Sequence, residues 1–91
     1  MKTFVKDPDA TLDYSFDWGP WLVTDVIASS TWSINNSGLS IVGASEDYDD
    51  TTTTVFLTGG ADGEKYEVTN RITTAASRTD ERTILIRVRQ R

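Results

Sequence analysis

Apolar and polar residues alternate with a period of two through the second half of the chain. From Tyr66 to Thr73 every second residue is Tyr, Val, Asn or Ile, and Glu, Thr, Arg and Thr lie between them. The same alternation runs through residues 84–89 and residues 54–58. A period of two places successive side chains on opposite faces of a strand, so one set packs inward and the other faces water. The pattern predicts three consecutive antiparallel strands.

The front half carries the same signal in shorter pieces. Residues 12–18 alternate Leu, Tyr, Phe and Trp with Asp and Ser, and Gly19-Pro20 ends the run. Residues 26–35 predict a further strand, in which Ile27 and Trp32 are out of register for one alternation. A bulge near Ser29-Ser30 would account for this shift.

The segment between the first two strands of the second half predicts a specific corner. Residues 59–63 read Gly-Gly-Ala-Asp-Gly, and glycine adopts positive φ at no steric cost. The following G-x-x-Y-x-V spacing, with Tyr66, resembles the tyrosine corner of immunoglobulin-like sandwiches. Antibody domains hold a disulfide cysteine two residues after that tyrosine, where this chain has Val68. The core must therefore be held by packing alone.

Together these signals predict an all-β fold, an immunoglobulin-like antiparallel β-sandwich of six to seven strands. Residues 1–10 are interpreted as an extended N-terminal arm, because Lys6-Asp7-Pro8-Asp9 favours a turn, and residues 11–91 as the sandwich domain. The strands are expected near residues 11–18, 25–35, 39–43, 52–58, 65–75 and 82–90. The side chains expected to be buried are Tyr66, Val68, Ile72, Ile84, Ile86, Val55, Leu57 and Trp32.

Composition narrows the class of protein further. Ninety-one residues form one domain with one modest core. No stretch has the roughly 20 apolar residues that cross a bilayer, and the first ten residues hold no apolar run of a signal peptide. The chain has no cysteine, so it forms neither a disulfide framework nor a thiolate metal site. We expect a protein without membrane contact, kept in the cytosol or assembled there into something larger.

Charge is divided unevenly along the chain. Residues 1–50 carry nine Asp or Glu and two Lys, a net of −7, and residues 51–91 carry five acidic and seven basic residues, a net of +2. Nucleic-acid binding requires a basic footprint, so we expect no nucleic-acid partner. The asymmetry would suit copies or partners that meet acidic face to basic face, although it also serves simply to keep a sandwich in solution.

The residues offer little to build catalysis on. There is no His or Cys, and no Ser lies in a G-x-S-x-G or S-x-x-K frame, so we expect no enzymatic activity and no cofactor. The acidic run Glu46–Asp50 supplies oxygens that suit calcium but lacks the calcium-loop pattern, and we predict no metal site. Asn35-Asn36-Ser37 matches a glycosylation sequon, which we attribute to chance.

The aromatic residues are the most informative candidates for function. Seven of the nine aromatic side chains exceed what a core of this size holds comfortably: Tyr14, Phe16, Trp18, Trp21, Trp32, Phe56 and Tyr66. Phe56 falls on the face opposite its inward-facing neighbours. Exposed aromatics of this kind usually mark protein–protein contacts. The predicted partner interface consists of Trp18, Pro20, Trp21 and Phe56 with the basic residues Arg87, Arg89 and Arg91.

Several segments also resemble a known family in order along nearly the whole chain. They are KDPDATLDYSFDW, SSTWSI, DDTTTTVFLTGG, YEVTNRITTAASRTDERT and ILIRVR. Together they are similar to the small fibre–tail adaptor proteins of tailed bacteriophages. The resemblance implies an immunoglobulin-like virion protein without catalytic residues. It further implies several copies in a symmetric ring around the tail or neck, joining fibre subunits to tail components.

Two classes of function remain open on this basis. The first is a structural adaptor of the virion tail, assembled in the host cytoplasm, whose partners are the tail fibre protein and tail or neck proteins. The second is a carbohydrate- or surface-binding module displayed on a virion, which stacks exposed aromatics on sugars. An adaptor buries its aromatics in an interface, whereas a sugar binder leaves them open in a shallow groove.

Overall fold

A computed structural model describes residues 2–43 and 46–90 of the chain. Its elements in chain order are β1 (Lys2–Lys6), β2 (Leu12–Asp17), α1 (Gly19–Leu22), β3 (Ile27–Ile34), β4 (Leu39–Ile41), β5 (Asp47–Tyr48), β6 (Thr52–Gly59), β7 (Lys65–Thr74) and β8 (Thr79–Val88).

The strands form two sheets that pack as a sandwich. The first sheet has the order β1-β8-β7-β3, and the second has the order β2-β6-β4 with β5 also paired to β6. In immunoglobulin nomenclature β2, β6 and β4 correspond to strands B, E and D, and β3, β7 and β8 correspond to C, F and G. The prediction of an immunoglobulin-like, all-β sandwich is therefore confirmed.

All six predicted strands are present, with ends that differ by a few residues. The predicted bulge is also present, since the register between β3 and β7 shifts between Ile27 and Ser29. The eight side chains expected in the core are all buried. The alternation was informative because each strand has one face against the opposite sheet, which fixes its register.

The first ten residues differ from the prediction of an extended arm. Lys2–Lys6 forms β1, which pairs in parallel with β8 from Ile84 to Val88. The turn-favouring run at residues 7–9 ends this strand and leads the chain across to β2, and Ala10 N–H donates to Asp7 C=O at 3.0 Å. The prediction was wrong because the partner of β1 lies about 80 residues away, where no local pattern identifies it.

Two short elements lie outside the predicted strands. The acidic segment at residues 46–50 contains the two-residue strand β5, and the Gly19-Pro20 break is the start of the four-residue helix α1. Proline suits the first turn of a helix because the N–H that it lacks would have no partner there. The described part of the chain thus has eight strands, where six to seven were predicted.

The buried side chains form two clusters. The larger lies between the sheets and includes Trp32, Val55, Leu57 and Tyr66. The smaller consists of Trp18, Leu22, Ile27 and Ile72, and it closes one end of the sandwich. We call this the α1 end and define it as residues 17–26, 47–51 and 75–78. Backbone hydrogen bonds join its segments, from Trp18 N–H to Thr51 C=O at 2.8 Å and from Ala75 N–H to Val26 C=O at 3.0 Å.

Candidate protein–protein interface

Trp18 does not belong to the surface, which corrects the prediction that it contacts a partner. Its side chain is 0% exposed and lies in the smaller core cluster. Trp18 continues the inward-facing alternation of β2, and α1 then folds back so that Leu22 covers it. Residues 17–22 therefore cover the hydrophobic core at the α1 end.

A buried polar network fixes the Trp18 indole. Its Nε1–H donates to Asn70 Oδ1 at 3.1 Å, and the hydroxyl of Thr53 donates to the same oxygen at 2.6 Å. The amide nitrogen of Asn70 donates to Ser30 Oγ at 2.8 Å and to Thr31 C=O at 3.0 Å. Because each of these buried groups has a partner, the network costs little in desolvation and orients Trp18 uniquely. It also explains why an Asn occupies an inward-facing position of β7.

Pro20 and Trp21, two residues of the predicted interface, are at least partly exposed. Trp21 is half-buried, with its ring centroid 5.7 Å from that of Trp18 at an interplanar angle of 70°. The guanidinium of Arg78 lies 4.4 Å from the Trp21 ring centroid. Pro20 is exposed beside it. The α1 end therefore presents Pro20 and part of the Trp21 side chain.

Arg78 fastens the loop that follows α1. Its Nε donates to Asp25 Oδ2 at 3.1 Å, and one terminal nitrogen donates to Leu22 C=O at 3.1 Å. The Thr74 hydroxyl is the main cause of a lowered pKa of the Asp25 carboxyl, with the Val26 N–H and the Arg78 guanidinium acting in the same direction. Asp25 therefore ties the loop to the β7–β8 turn.

Val23 is an exposed residue of this loop that sequence reasoning missed. It follows α1 directly, its backbone φ is 63°, and its side chain is 82% exposed. A β-branched residue rarely adopts positive φ, and no sequence signal distinguishes this valine from one in a strand. The backbone conformation alone identifies it.

Phe56 lies on a different surface, the outer face of the second sheet. It is 41% exposed, and its partners across the sheet are Asp13 on β2 and, by a backbone hydrogen bond, Val42. The strand registers put Asp13, Asp17 and Asp47 on this face together with threonines and serines. No Lys or Arg of residues 2–43 and 46–90 lies on the strands of this face. Phe56 is therefore an apolar side chain on an acidic sheet.

The basic candidates lie on the first sheet. Arg87 is half-buried between Val5 of β1 and Lys65 of β7. Arg89 is exposed just beyond β8, and its N–H donates to Lys6 C=O at 2.9 Å. Arg91 lies outside the described residues. The predicted interface residues therefore do not form one patch: Pro20 and Trp21 lie at the α1 end, Phe56 on one sheet and Arg87 and Arg89 on the other.

A groove opens on the side of the sandwich where β1 and β2 face each other. Its volume is about 410 Å³, and Phe4, Tyr14, Phe16 and Ile84 form its apolar lining. The Phe16 ring stacks on Trp32 at 5.5 Å with an interplanar angle of 13°, so one of its faces is covered. Phe4 is 37% exposed.

Lys6 is a buried lysine that sequence reasoning assigned to the arm. Its side chain is 0% exposed, and its ammonium donates to Gly59 C=O at 2.7 Å and Asp7 C=O at 2.9 Å. Burial lowers the pKa of Lys6, although the nearby carboxylates of Asp7 and Asp9 oppose this shift. Lys6 thus joins the end of β1 to the end of β6.

The acidic segment between β4 and β6 uses its carboxylates locally. The Asp49 carboxylate accepts N–H groups of Thr51 at 2.9 Å and Thr52 at 2.7 Å, and these hydrogen bonds lower its pKa. Within residues 2–43 and 46–90, no group of three His, Cys, Asp or Glu side chains converges to hold a metal ion. Over the same residues, no helix is long and apolar enough to span a membrane.

The fold and its surfaces define a small immunoglobulin-like domain. It exposes several apolar side chains, and it carries acidic residues on the second sheet and basic residues on the first. A comparison with protein families matches residues 6–87 to the family described as podophage GP4 fiber-tail adaptor protein gp77. The chain therefore belongs to this family, which confirms the resemblance found in the sequence. A comparison with curated proteins found no match. Membership implies a virion component and supports a structural adaptor role in the phage tail.

Proposed function

We propose that this domain is a non-enzymatic connector that joins tail fibres to the tail or neck of a podophage. The observation that carries this proposal is the family match over residues 6–87, which covers most of the chain. Several copies act together around the tail, so contacts that are weak singly give firm attachment.

The shape of the domain supports a role between two partners. The sandwich is 42 Å long, and the ten residues of β7 alone separate the α1 end from the opposite end by about 30 Å at ~3.3 Å per residue. Pro20 and Trp21 lie at the α1 end, and Arg89 lies at the other. Two partners can therefore bind without competing for one surface.

The separation of acidic and basic residues onto opposite sheets supports contact between copies. The acidic face around Phe56 and the basic side chains of Arg87 and Arg89 belong to opposite sheets. Two copies that meet acidic face to basic side use different patches, which makes the contact heterologous and allows it to close into a ring. Charge would set the register of this contact and Phe56 would supply apolar area.

The test is to delete this protein from the phage and examine the particles by electron microscopy. We expect particles with complete heads and tails that lack fibres, and fibres restored when the full chain is supplied. Particles that carry a full set of fibres without the protein would overturn the proposal.

The groove between β1 and β2 is the one observation that favours the second candidate, a carbohydrate-binding module. Phe4 offers a partly open ring there, beside the cations Lys2 and Arg82. Binding of the purified domain to host surface glycans, abolished by Phe4→Ala, would support that candidate. Fibre loss in the deletion particles without any glycan binding would exclude it.

A further inference from the structure

The outer face of the first sheet carries a row of apolar and basic side chains. The strand registers place Val5 of β1 and Lys65 of β7 directly on either side of Arg87 of β8. The adjacent row contains Ile86 and Tyr66, which are buried in the core, so the row of Arg87 faces outward. Val5 is 40% exposed. This row therefore presents an apolar side chain next to two cations.

The outer face of the second sheet carries a complementary pair of rows. Asp13 of β2 lies directly opposite Phe56 of β6, and the next outward-facing row pairs Thr54 with Asp47. Val55, between these rows, is buried in the core. Phe56 is 41% exposed. An apolar side chain with two carboxylates on this face thus matches an apolar side chain with two cations on the other.

The two patches lie near the same end of the sandwich. Lys6, which follows Val5, donates from its ammonium to Gly59 C=O at 2.7 Å. Gly59 ends β6, three residues after Phe56. Three strand residues span about 10 Å, so Val5 and Phe56 lie within about 10 Å of each other along the strand direction, on opposite outer faces. The α1 end is at the other end of β6.

This placement determines how identical copies fit together. The acidic face of one copy meets the basic row of the next when the strands of both copies point in the same direction. An inverted neighbour would instead bring the acidic face against the row of Arg71 and Glu81, whose charges cancel. Repeating the same-direction step turns the copies about an axis roughly parallel to the strands, which is the geometry of a cyclic ring.

We propose that copies of this domain stand side by side in the same direction, with Phe56 of each copy packed against Val5 of the next. Asp13 then faces the cations Arg87 and Lys65, and the occupant of both faces is a second copy of this chain. This arrangement rests on the proposed connector function and deepens it, because it gives the ring a direction. Every α1 end contacts one partner, and every opposite end contacts the other.

Disulfide cross-linking tests this arrangement because the chain has no cysteine of its own. The test chain carries Val5→Cys with Phe56→Cys and is supplied in full length to the deletion phage. Within one copy the two positions lie on the outer faces of sheets about 10 Å apart, too far for a disulfide. After mild oxidation of the particles, denaturing gels should show a ladder of cross-linked chains. Each single variant should give no ladder, because every contact between copies needs both positions.

The control pair is Val5→Cys with Thr52→Cys. Thr52 shares the outer face of Phe56 but lies about 13 Å nearer to the α1 end, so we expect much less cross-linking. Urea denaturation of the purified chains under reducing conditions establishes that each variant folds. Should the first pair impair folding, Thr3→Cys with Thr54→Cys tests the same orientation, because both positions lie two residues nearer to the α1 end on the same two faces.

Each outcome decides something different. A ladder from the control pair, with none from Val5→Cys and Phe56→Cys, would overturn the arrangement and show that neighbouring copies are inverted. Dimers from either single variant would also overturn it, because identical faces then meet. Particles with a full set of fibres whose double-cysteine chains stay uncross-linked would overturn the arrangement and leave the connector function intact. Fibres on particles that lack the protein would overturn the connector function, and this arrangement with it.

Discussion

The backbone N–H of Ala61 donates a hydrogen bond to the hydroxyl oxygen of Tyr66, at 3.0 Å, across the corner between β6 and β7. This is the tyrosine corner that the G-x-x-Y-x-V spacing predicted. Gly38 also lies close to this hydroxyl, since a Cβ atom at Gly38 would be 2.8 Å from the Tyr66 oxygen. The corner is therefore fixed by a hydrogen bond and by close packing of Tyr66 against Gly38.

Replacing Tyr66 by Phe should lower the free energy of unfolding by about 1 kcal/mol, because it removes one satisfied hydrogen bond and keeps the ring. Urea denaturation measures this change. The matched control is Tyr48→Phe, whose hydroxyl donates to Ala28 C=O at 2.8 Å in an exposed position. An unchanged midpoint for Tyr66→Phe would mean that the corner hydrogen bond does not stabilise the fold.

Three glycine-to-alanine variants distinguish two causes of lost stability: a steric clash with Tyr66 and the strain of a positive φ. Gly38 has φ +111° and a Cβ position 2.8 Å from Tyr66, whereas Gly63 has φ +86° and no heavy atom within 4 Å. Gly43 also has no atom within 4 Å. We expect Gly38→Ala to destabilise most, Gly63→Ala by roughly 1 kcal/mol from strain alone, and Gly43→Ala least. Equal midpoints for Gly38→Ala and Gly63→Ala would show that the approach to Tyr66 costs nothing.

The elements that the sequence predicted correctly are those in which one face of a strand must be buried. Alternation located Val55, Val68 and Ile86 because a shift of one residue would turn each of them to water. The burial of Trp18 follows from the same alternation, yet the number of aromatic residues favoured exposure. The number of aromatic residues was misleading because the sandwich has a second, smaller hydrophobic cluster at the α1 end. There α1 packs back against the sheets and buries Trp18.

Features that depend on distant partners had no local signal. β1 is a strand because β8 offers an edge, and Lys6 is buried because Gly59 C=O accepts from its ammonium. Val23 adopts its conformation because Arg78 holds the residues on either side of it, Leu22 and Asp25, by hydrogen bonds. The intrinsic preference of valine is against positive φ. The candidate contact at the α1 end was therefore located in the sequence at Pro20 and Trp21, while its most exposed apolar residue was not.

Trp18 and Trp21 should differ sharply when each is replaced by Ala. Trp18→Ala empties a fully buried site and leaves Asn70 Oδ1 with one donor fewer, so we expect a loss of about 3–5 kcal/mol in the free energy of unfolding. Trp21→Ala removes a half-buried ring and should cost clearly less. Thermal and urea denaturation of both variants would check this order. The reverse order would contradict the assignment of Trp18 to the core.

Asp25 should make the stability of the domain depend on acid. Its pKa in the folded state lies below the usual value of 3.8, chiefly because the Thr74 hydroxyl donates to the carboxylate. The stabilisation is therefore fully present above about pH 3.8 and is lost as the pH falls through the lowered folded pKa. The difference in urea midpoint between the wild type and Asp25→Asn should be largest at neutral pH and should shrink in acid. The control is Asp13→Asn, a change of the same kind on the outer face of the second sheet. A difference in urea midpoint between the wild type and Asp25→Asn that stays constant with pH would contradict the prediction.

Charge reversal should test whether copies of the domain meet acidic face to basic side in the particle. The variant Arg87→Glu with Arg89→Glu places like charges against the face that carries Asp13 and Asp47, so we expect fewer copies and fewer fibres per particle. Adding Asp13→Lys and Asp47→Lys to the same chain reverses both sides of every contact between copies and should restore the fibres. Urea denaturation establishes that each variant folds, and electron microscopy of particles from the complemented deletion phage counts the fibres.

The control for that experiment reverses Lys2 and Arg71, which changes the net charge by the same amount at other positions. Rescue by the fourfold variant, with little effect of the control, would place Arg87 and Arg89 opposite the acidic face of a neighbouring copy. Full fibre numbers on particles that carry only Arg87→Glu and Arg89→Glu would exclude this contact. Loss that the compensating lysines do not reverse would instead assign the two arginines to a contact with another tail protein.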